Sequence, residues 1–105
     1  MDNPRIFSTQ GVVLLLVMIR PGITVREISD ALSLTYRTVW GLVGELRNAG
    51  VINVRKEGRR HHYFVNVDAP FPHPLLAHRT MGDTVRAIIG SPEALPPAES
   101  WRGVR

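Results

Sequence analysis

The side chains best suited to chemistry fall in one short run, Arg55-Lys56-Glu57-Gly58-Arg59-Arg60-His61-His62. Four full positive charges stand there against one negative charge, a balance that suits a polyanion. A second group precedes it: Thr35, Tyr36, Arg37, Thr38, Trp40 and Gly41. Arg37 can donate two parallel hydrogen bonds to a guanine edge, worth about 1–3 kcal/mol of discrimination between bases. Tyr36 and Thr38 suit contact with phosphates or bases, with helix capping and plain solvent exposure as the bland alternative. Trp40 reads either as an aromatic at the edge of a core or as a contact residue. Gly41 and Gly44 leave backbone bare, which serves either close approach to a partner or ordinary packing.

Other chemistries find less support. His61 and His62 are neighbours in an extended stretch and point to opposite faces. His73 and His78 lie among prolines with no carboxylate cluster, so no metal site is expected. The absence of cysteine excludes a thiolate zinc site, a cysteine nucleophile and a disulfide scaffold. No nucleophile–base pair, Gly-rich phosphate loop or pair of carboxylates stands in a supporting context. The expectation is a chain that is not an enzyme and needs no cofactor.

A chain of 105 residues supports one small domain, and 44% hydrophobic with 21% charged residues is an ordinary globular balance. Thirteen Lys and Arg against nine Asp and Glu give a formal net charge of +4. The longest apolar run, residues 12–19, is far below the roughly 18 residues of a membrane span. Arg20-Pro21-Gly22 follows it where a signal peptide would have small residues, so a cytoplasmic protein without membrane contact is expected.

The elements that must position these groups are legible from capping and period. Ser8 or Thr9 can cap a helix to about residue 20, stopped by Pro21-Gly22. That helix is apolar on every face and calls for cover on several sides, from its own chain or from a partner. Thr24 and Glu27 form a capping box opening a helix over 25–32, with Val25, Ile28, Ala31 and Leu32 inward. After a tight turn at Ser33-Leu34, Thr35 caps a helix over 36–49. There Val39, Leu42, Val43 and Leu46 make one apolar stripe, opposite Arg37, Gly41, Gly44 and Asn48. Gly50 suits the left-handed residue that ends it. The period then changes to two over 51–56 and 61–67, with Glu57-Gly58 as the turn of a hairpin. A last helix, about 80–89, starts with a second capping box, Thr80 to Asp83, and carries Met81, Val85, Ile88 and Ile89 on one face.

Two short helices joined by a tight turn form a helix-turn-helix, whose second helix can enter a DNA major groove. The stretch Thr24-Val25-Arg26-Glu27-Ile28, then Leu34 to Val39, Glu45 to Ile52 and Gly58 to Tyr63, resembles the winged helix-turn-helix of ArsR-like and MarR-like bacterial transcriptional regulators. The resemblance covers about residues 9–68. His73-Pro74-Leu75 with His78-Arg79-Thr80-Met81-Gly82-Asp83 also looks like a small single-domain subgroup of such regulators. It implies a mainly α (α+β) winged helix: three helices, a two-stranded β-hairpin wing and a C-terminal helix. ArsR-like metal sensing does not carry over, because those sensors use cysteines. MarR-like proteins have long flanking helices forming a dimer and a ligand pocket, whereas this chain offers one short terminal helix, and an effector is left open.

The resulting expectation is sequence-specific binding of double-stranded DNA by a homodimeric regulator. Thr35, Tyr36, Arg37, Thr38, Trp40 and Gly41 would face bases or flank them. Arg26, Arg55, Lys56, Arg59, Arg60 and His61 would lie along the backbone or a minor groove. Residues 1–68 would form the DNA-binding domain, 69–79 a Pro-rich linker, 80–90 a packing or dimerisation helix and 91–105 a flexible tail. The alternative is a winged helix that binds protein, its charged wing merely solvated.

Overall fold

The computed structural model describes residues 6–90; the expected tail, 91–105, lies outside them. Helix α1 (Thr9–Ile19) is capped by Ser8, whose hydroxyl accepts from Gly11 N. Strand β1 (Ile23–Thr24) leads directly into α2 (Val25–Leu32). Helix α3 (Tyr36–Asn48), strands β2 (Ile52–Glu57) and β3 (Arg60–Val65), and helix α4 (Met81–Ile89) follow.

The two-stranded hairpin wing forms as expected from β2 and β3, and β1 adds a third strand to give an antiparallel sheet ordered β1-β3-β2. Strand β1 has only two residues, too short for any periodic signal. It exists because Ile23 and Thr24 pair with Tyr63 and His62, a contact about forty positions distant in the chain. The hairpin turn also shifts by one residue. Glu57 pairs with Arg60, leaving Gly58 and Arg59 as the two loop residues. Gly58 has φ +59° and Arg59 has no positive φ, the pattern of a type II′ turn with glycine at its first central position.

The core gathers at the centre of the sheet. Tyr63 is fully buried, as are Val13 and Val17 of α1, Ile28 of α2 and Val39 of α3, with Met81 of α4 closing over them. Val13, Leu14, Leu16 and Val17 are buried, and Val12, Leu15 and Met18 pack against the same cluster. The cover that α1 demanded is therefore largely supplied within the chain.

The turn between α2 and α3 is fastened by Ser29, whose hydroxyl donates to Leu34 O while Leu34 N donates to Ser29 O at 3.1 Å. Ser33 takes the left-handed conformation, φ +55°, that closes α2. Beyond β3 the chain returns to the core: Phe71 N donates to Arg79 O and Met81 N to Ala69 O. A Cβ on Gly82 would lie 3.0 Å from Val67 Cβ, so glycine permits α4 to seat there.

Two expectations for α4 need correction. Thr80 Oγ1 accepts from Asp83 N at 3.1 Å, but the reciprocal bond of a capping box is absent among the described residues. An aspartate is one methylene shorter than the glutamate that completes the box at Thr24. Ile88 is 49% exposed rather than on the buried face, because Gly82 joins Met81 and Val85 there and rotates the packed stripe.

Candidate nucleic-acid interface

Helix α3 presents its exposed face because Val39, Val43 and Leu46 are drawn inward, with Leu42 half-buried beside them. Its start is held by Thr35, whose hydroxyl accepts from Thr38 N at 3.2 Å and donates to Thr38 Oγ1 at 3.0 Å. Thr35 is thereby committed to the cap, whereas Thr38 keeps its own hydroxyl proton for an outward bond. Tyr36 and Trp40, one turn apart, are 48% and 45% exposed. Arg37 and Gly41 are exposed, and Arg37 makes no ion pair or side-chain hydrogen bond among the described residues. The acidic residue of α3, Glu45, accepts from Gln10 Nε2 of α1 at 2.6 Å. The first turns of α3 therefore carry positive charge without a neighbouring acid on the same helix.

Strand register decides which wing residues can approach that helix. Lys56 lies opposite His61, on the sheet face shared by the Val54–Tyr63 and Ile52–Val65 pairs. Arg55, Glu57, Arg60 and His62 occupy the other face. The His61 and Trp40 rings meet edge to face, centroids 5.7 Å apart at 87°. Through this contact the wing lies beside the exposed side of α3. Arg55 lies instead with its guanidinium 5.1 Å from the Phe64 ring centre, on the outer face of the sheet.

Of the twelve residues expected at the interface, Arg26, Trp40, Arg59, Arg60 and His61 converge on one solvent-open cleft of about 560 Å³. It lies between the start of α2, the side of α3 and the end of the wing. Tyr36, Arg37, Thr38 and Gly41 continue the surface along α3 outside the cleft, and Arg55 and Lys56 lie farther back along β2. Thr35 stands at the junction of the turn and α3.

Sequence reasoning missed two contributors. Glu27, read there only as a cap, also lines the cleft, and its carboxylate is fully engaged. Oε1 accepts from Thr24 N and Oγ1 at 3.1 and 3.0 Å, and Oε2 from Arg20 Nη2 at 3.0 Å. His62 holds the sheet together through Nδ1, 2.8 Å from Gly22 O, a contact that only the pairing of β1 with β3 creates. Beneath the wing, the Tyr63 hydroxyl is buried without a partner among the described residues, as is His61 Nδ1. Burial pushes the Tyr63 phenol above its ordinary value near 10, and the positive charge of Arg47 pulls in the opposite direction. Among the described residues no cluster of three or more His, Cys, Asp or Glu is placed to hold a metal, and no helix is long and apolar enough to cross a membrane.

A helix-turn-helix followed by a paired β-wing, with a third strand supplied from before α2, defines a winged helix protein. Residues 13–53 match the family model described as winged helix-turn-helix DNA-binding. No curated protein matches the sequence. Among solved structures, the chain is similar to the transcriptional regulator SlyA at 19% identity and TM-score 0.57, over 77% of this chain and 50% of that one. It thus spans about half the length of that regulator. The PcaV transcriptional regulator of Streptomyces coelicolor, solved with its natural ligand, aligns at 20% identity and TM-score 0.58, over 95% of this chain and 70% of that one. The MepR protein of S. aureus, solved as a DNA complex, aligns at 19% identity and TM-score 0.52, over 90% and 70% of the two chains. These likenesses agree with the mainly helical winged fold read from the sequence.

Proposed function

We propose that this chain is a transcriptional regulator that binds double-stranded DNA sequence-specifically. In this reading the exposed face of α3 lies in the major groove and the basic wing lies along the backbone or in the adjacent minor groove. The observation that carries the reading is the Trp40–His61 contact, by which the wing lies on the same side as Arg37, which has no ion pair among the described residues. A duplex approaching that side would meet Arg37 and Thr38 at its base edges and Arg26, Arg59 and Arg60 at its phosphates. Lys56 and His61 would lie toward α3, and Arg55 would reach only a phosphate on the outer side of the wing. The MepR structure, solved as a DNA complex and similar in fold, supports the DNA-binding part of this reading. The role is that of a binding protein rather than an enzyme, exercised in the cytoplasm.

The reading includes a homodimer, residues 1–68 binding DNA and the 80–90 helix joining copies or closing the core. Among the described residues, the exposed aliphatic and phenyl side chains open to such a contact are Ile6 and Phe7 ahead of α1, Val67, Leu75 and Ile88. Sedimentation over a range of concentrations tests this clause, and a monomer throughout would refute it.

Fluorescence anisotropy of a labelled duplex, titrated from low to moderate salt, tests the main reading. Affinity should fall steeply with salt, and Arg59→Ala with Arg60→Ala should make the log–log slope shallower by about two units, one for each lost phosphate contact. Binding that is undetectable at low salt, or insensitive to salt, would favour a protein-interaction module instead.

A further inference from the structure

The cleft between α2 and the wing shares its arginines with the proposed duplex contact but adds a concave volume and an aromatic wall that phosphate anchoring does not require. Its volume, about 560 Å³, lies within the ~300–1,000 Å³ typical of small-molecule sites. Three arginines, Arg26, Arg59 and Arg60, line it, and none makes an ion pair or side-chain hydrogen bond among the described residues. The acid in the wall, Glu27, is already bonded to Thr24 and paired with Arg20, so it adds little free negative charge. One wall is aromatic: Trp40, 45% exposed, with the His61 ring set against it.

We infer that this cleft is a binding site for a free nucleoside phosphate, its base against Trp40 and its phosphates on Arg26, Arg59 and Arg60. The charge argues for this ligand class. A monocarboxylate needs one bidentate guanidinium, whereas three unpaired ones match the several oxygens of a di- or triphosphate. The indole argues for the base, since stacking on an aromatic face works for any nucleobase. Occupancy would cover Trp40, Arg59 and Arg60, so ligand and duplex would exclude each other. That regulatory consequence rests on the DNA-binding reading; occupation of the cleft does not.

Isothermal titration of the full chain with ADP, adenosine and pyrophosphate tests occupancy. ADP should bind, pyrophosphate about tenfold more weakly, and adenosine without measurable affinity, since each lacks one of the two recognised parts. Arg59→Ala with Arg60→Ala should weaken ADP about tenfold or more. Trp40→Phe should retain part of the advantage of ADP over pyrophosphate, and Trp40→Ala should abolish it. The emission of Trp40 in a Trp101→Phe background should change with the same midpoint. Equal binding of ADP and pyrophosphate would reveal an undifferentiated cationic surface and overturn the inference, as would no ADP binding at concentrations on the order of millimolar. Competition against the labelled duplex is read separately. ADP that binds without releasing DNA would overturn only the exclusion, whereas a chain that binds ADP but no DNA would overturn the regulator reading and leave the cleft intact.

Discussion

Replacing Gly41 and Gly44 with alanine should move stability and DNA affinity in opposite directions. Both glycines lie within α3 at negative φ, and a Cβ built on either meets no atom within 4 Å. The described residues thus supply no packing reason for glycine at either position. Glycine in a helix interior costs about 0.5–1 kcal/mol relative to alanine. The double variant should therefore gain about 1–2 kcal/mol, or roughly 5–10 °C in Tm for a domain of this size. On DNA the sign reverses. If the bare backbone sits at van der Waals distance from the groove wall, two added methyl groups lift the helix and lengthen every contact made by Arg37 and Thr38. A loss of about tenfold or more in affinity, roughly 1.4 kcal/mol, is expected for a duplex selected from random sequences. Urea denaturation and anisotropy on the same preparations provide the two readings. A more stable variant with unchanged affinity would show that this face of α3 does not approach the duplex closely. A less stable variant would refute the premise that the space beyond the glycines is open.

Other substitutions test neighbouring steps. Arg37→Ala should relax discrimination among duplex sequences more than it weakens binding to an arbitrary duplex, and equal losses on all duplexes would reduce Arg37 to a phosphate anchor. Tyr63→Phe removes a buried hydroxyl with no partner among the described residues and should leave stability unchanged or raise it by up to about 1 kcal/mol; a loss of about 1 kcal/mol or more in urea denaturation would reveal a hidden partner. The raised Tyr63 pKa also sets a pH dependence. The folded chain keeps this proton above the ordinary value near 10, so stability is full below that value and falls as pH rises toward the folded pKa. Denaturation at about pH 9 and about pH 11 should show a smaller alkaline loss in Tyr63→Phe than in the wild type. Ser33→Gly relieves a left-handed serine at the end of α2 and should stabilise by about 0.5–1 kcal/mol, checked by thermal melting; a drop in Tm would mean the serine side chain earns its place there.

Local chemistry determined a good deal of this molecule from its residues alone. Ser8, Thr24, Thr35 and Thr80 cap helices where their hydroxyls meet orphan amides, and Gly50, at φ +78°, closes the third helix. Such signals act over three or four residues, as does the apolar stripe that turns Arg37 outward, so they survive without knowledge of the rest of the chain. Contacts between distant segments were decided only by the tertiary structure. Strand β1 is two residues long and exists through its pairing with Tyr63 and His62. The face on which each wing cation lies follows from a register in which a one-residue slip would exchange Lys56 with Arg55. Helix α4 packs through Met81, Gly82 and Val85, which leaves Ile88 outward, and Val67 lies close enough to Gly82 to leave no room for a side chain there. The cleft joining Arg26, Trp40 and Arg60 brings together three elements that no periodicity relates, because burial of Tyr63 and its neighbours sets how the sheet and helices meet.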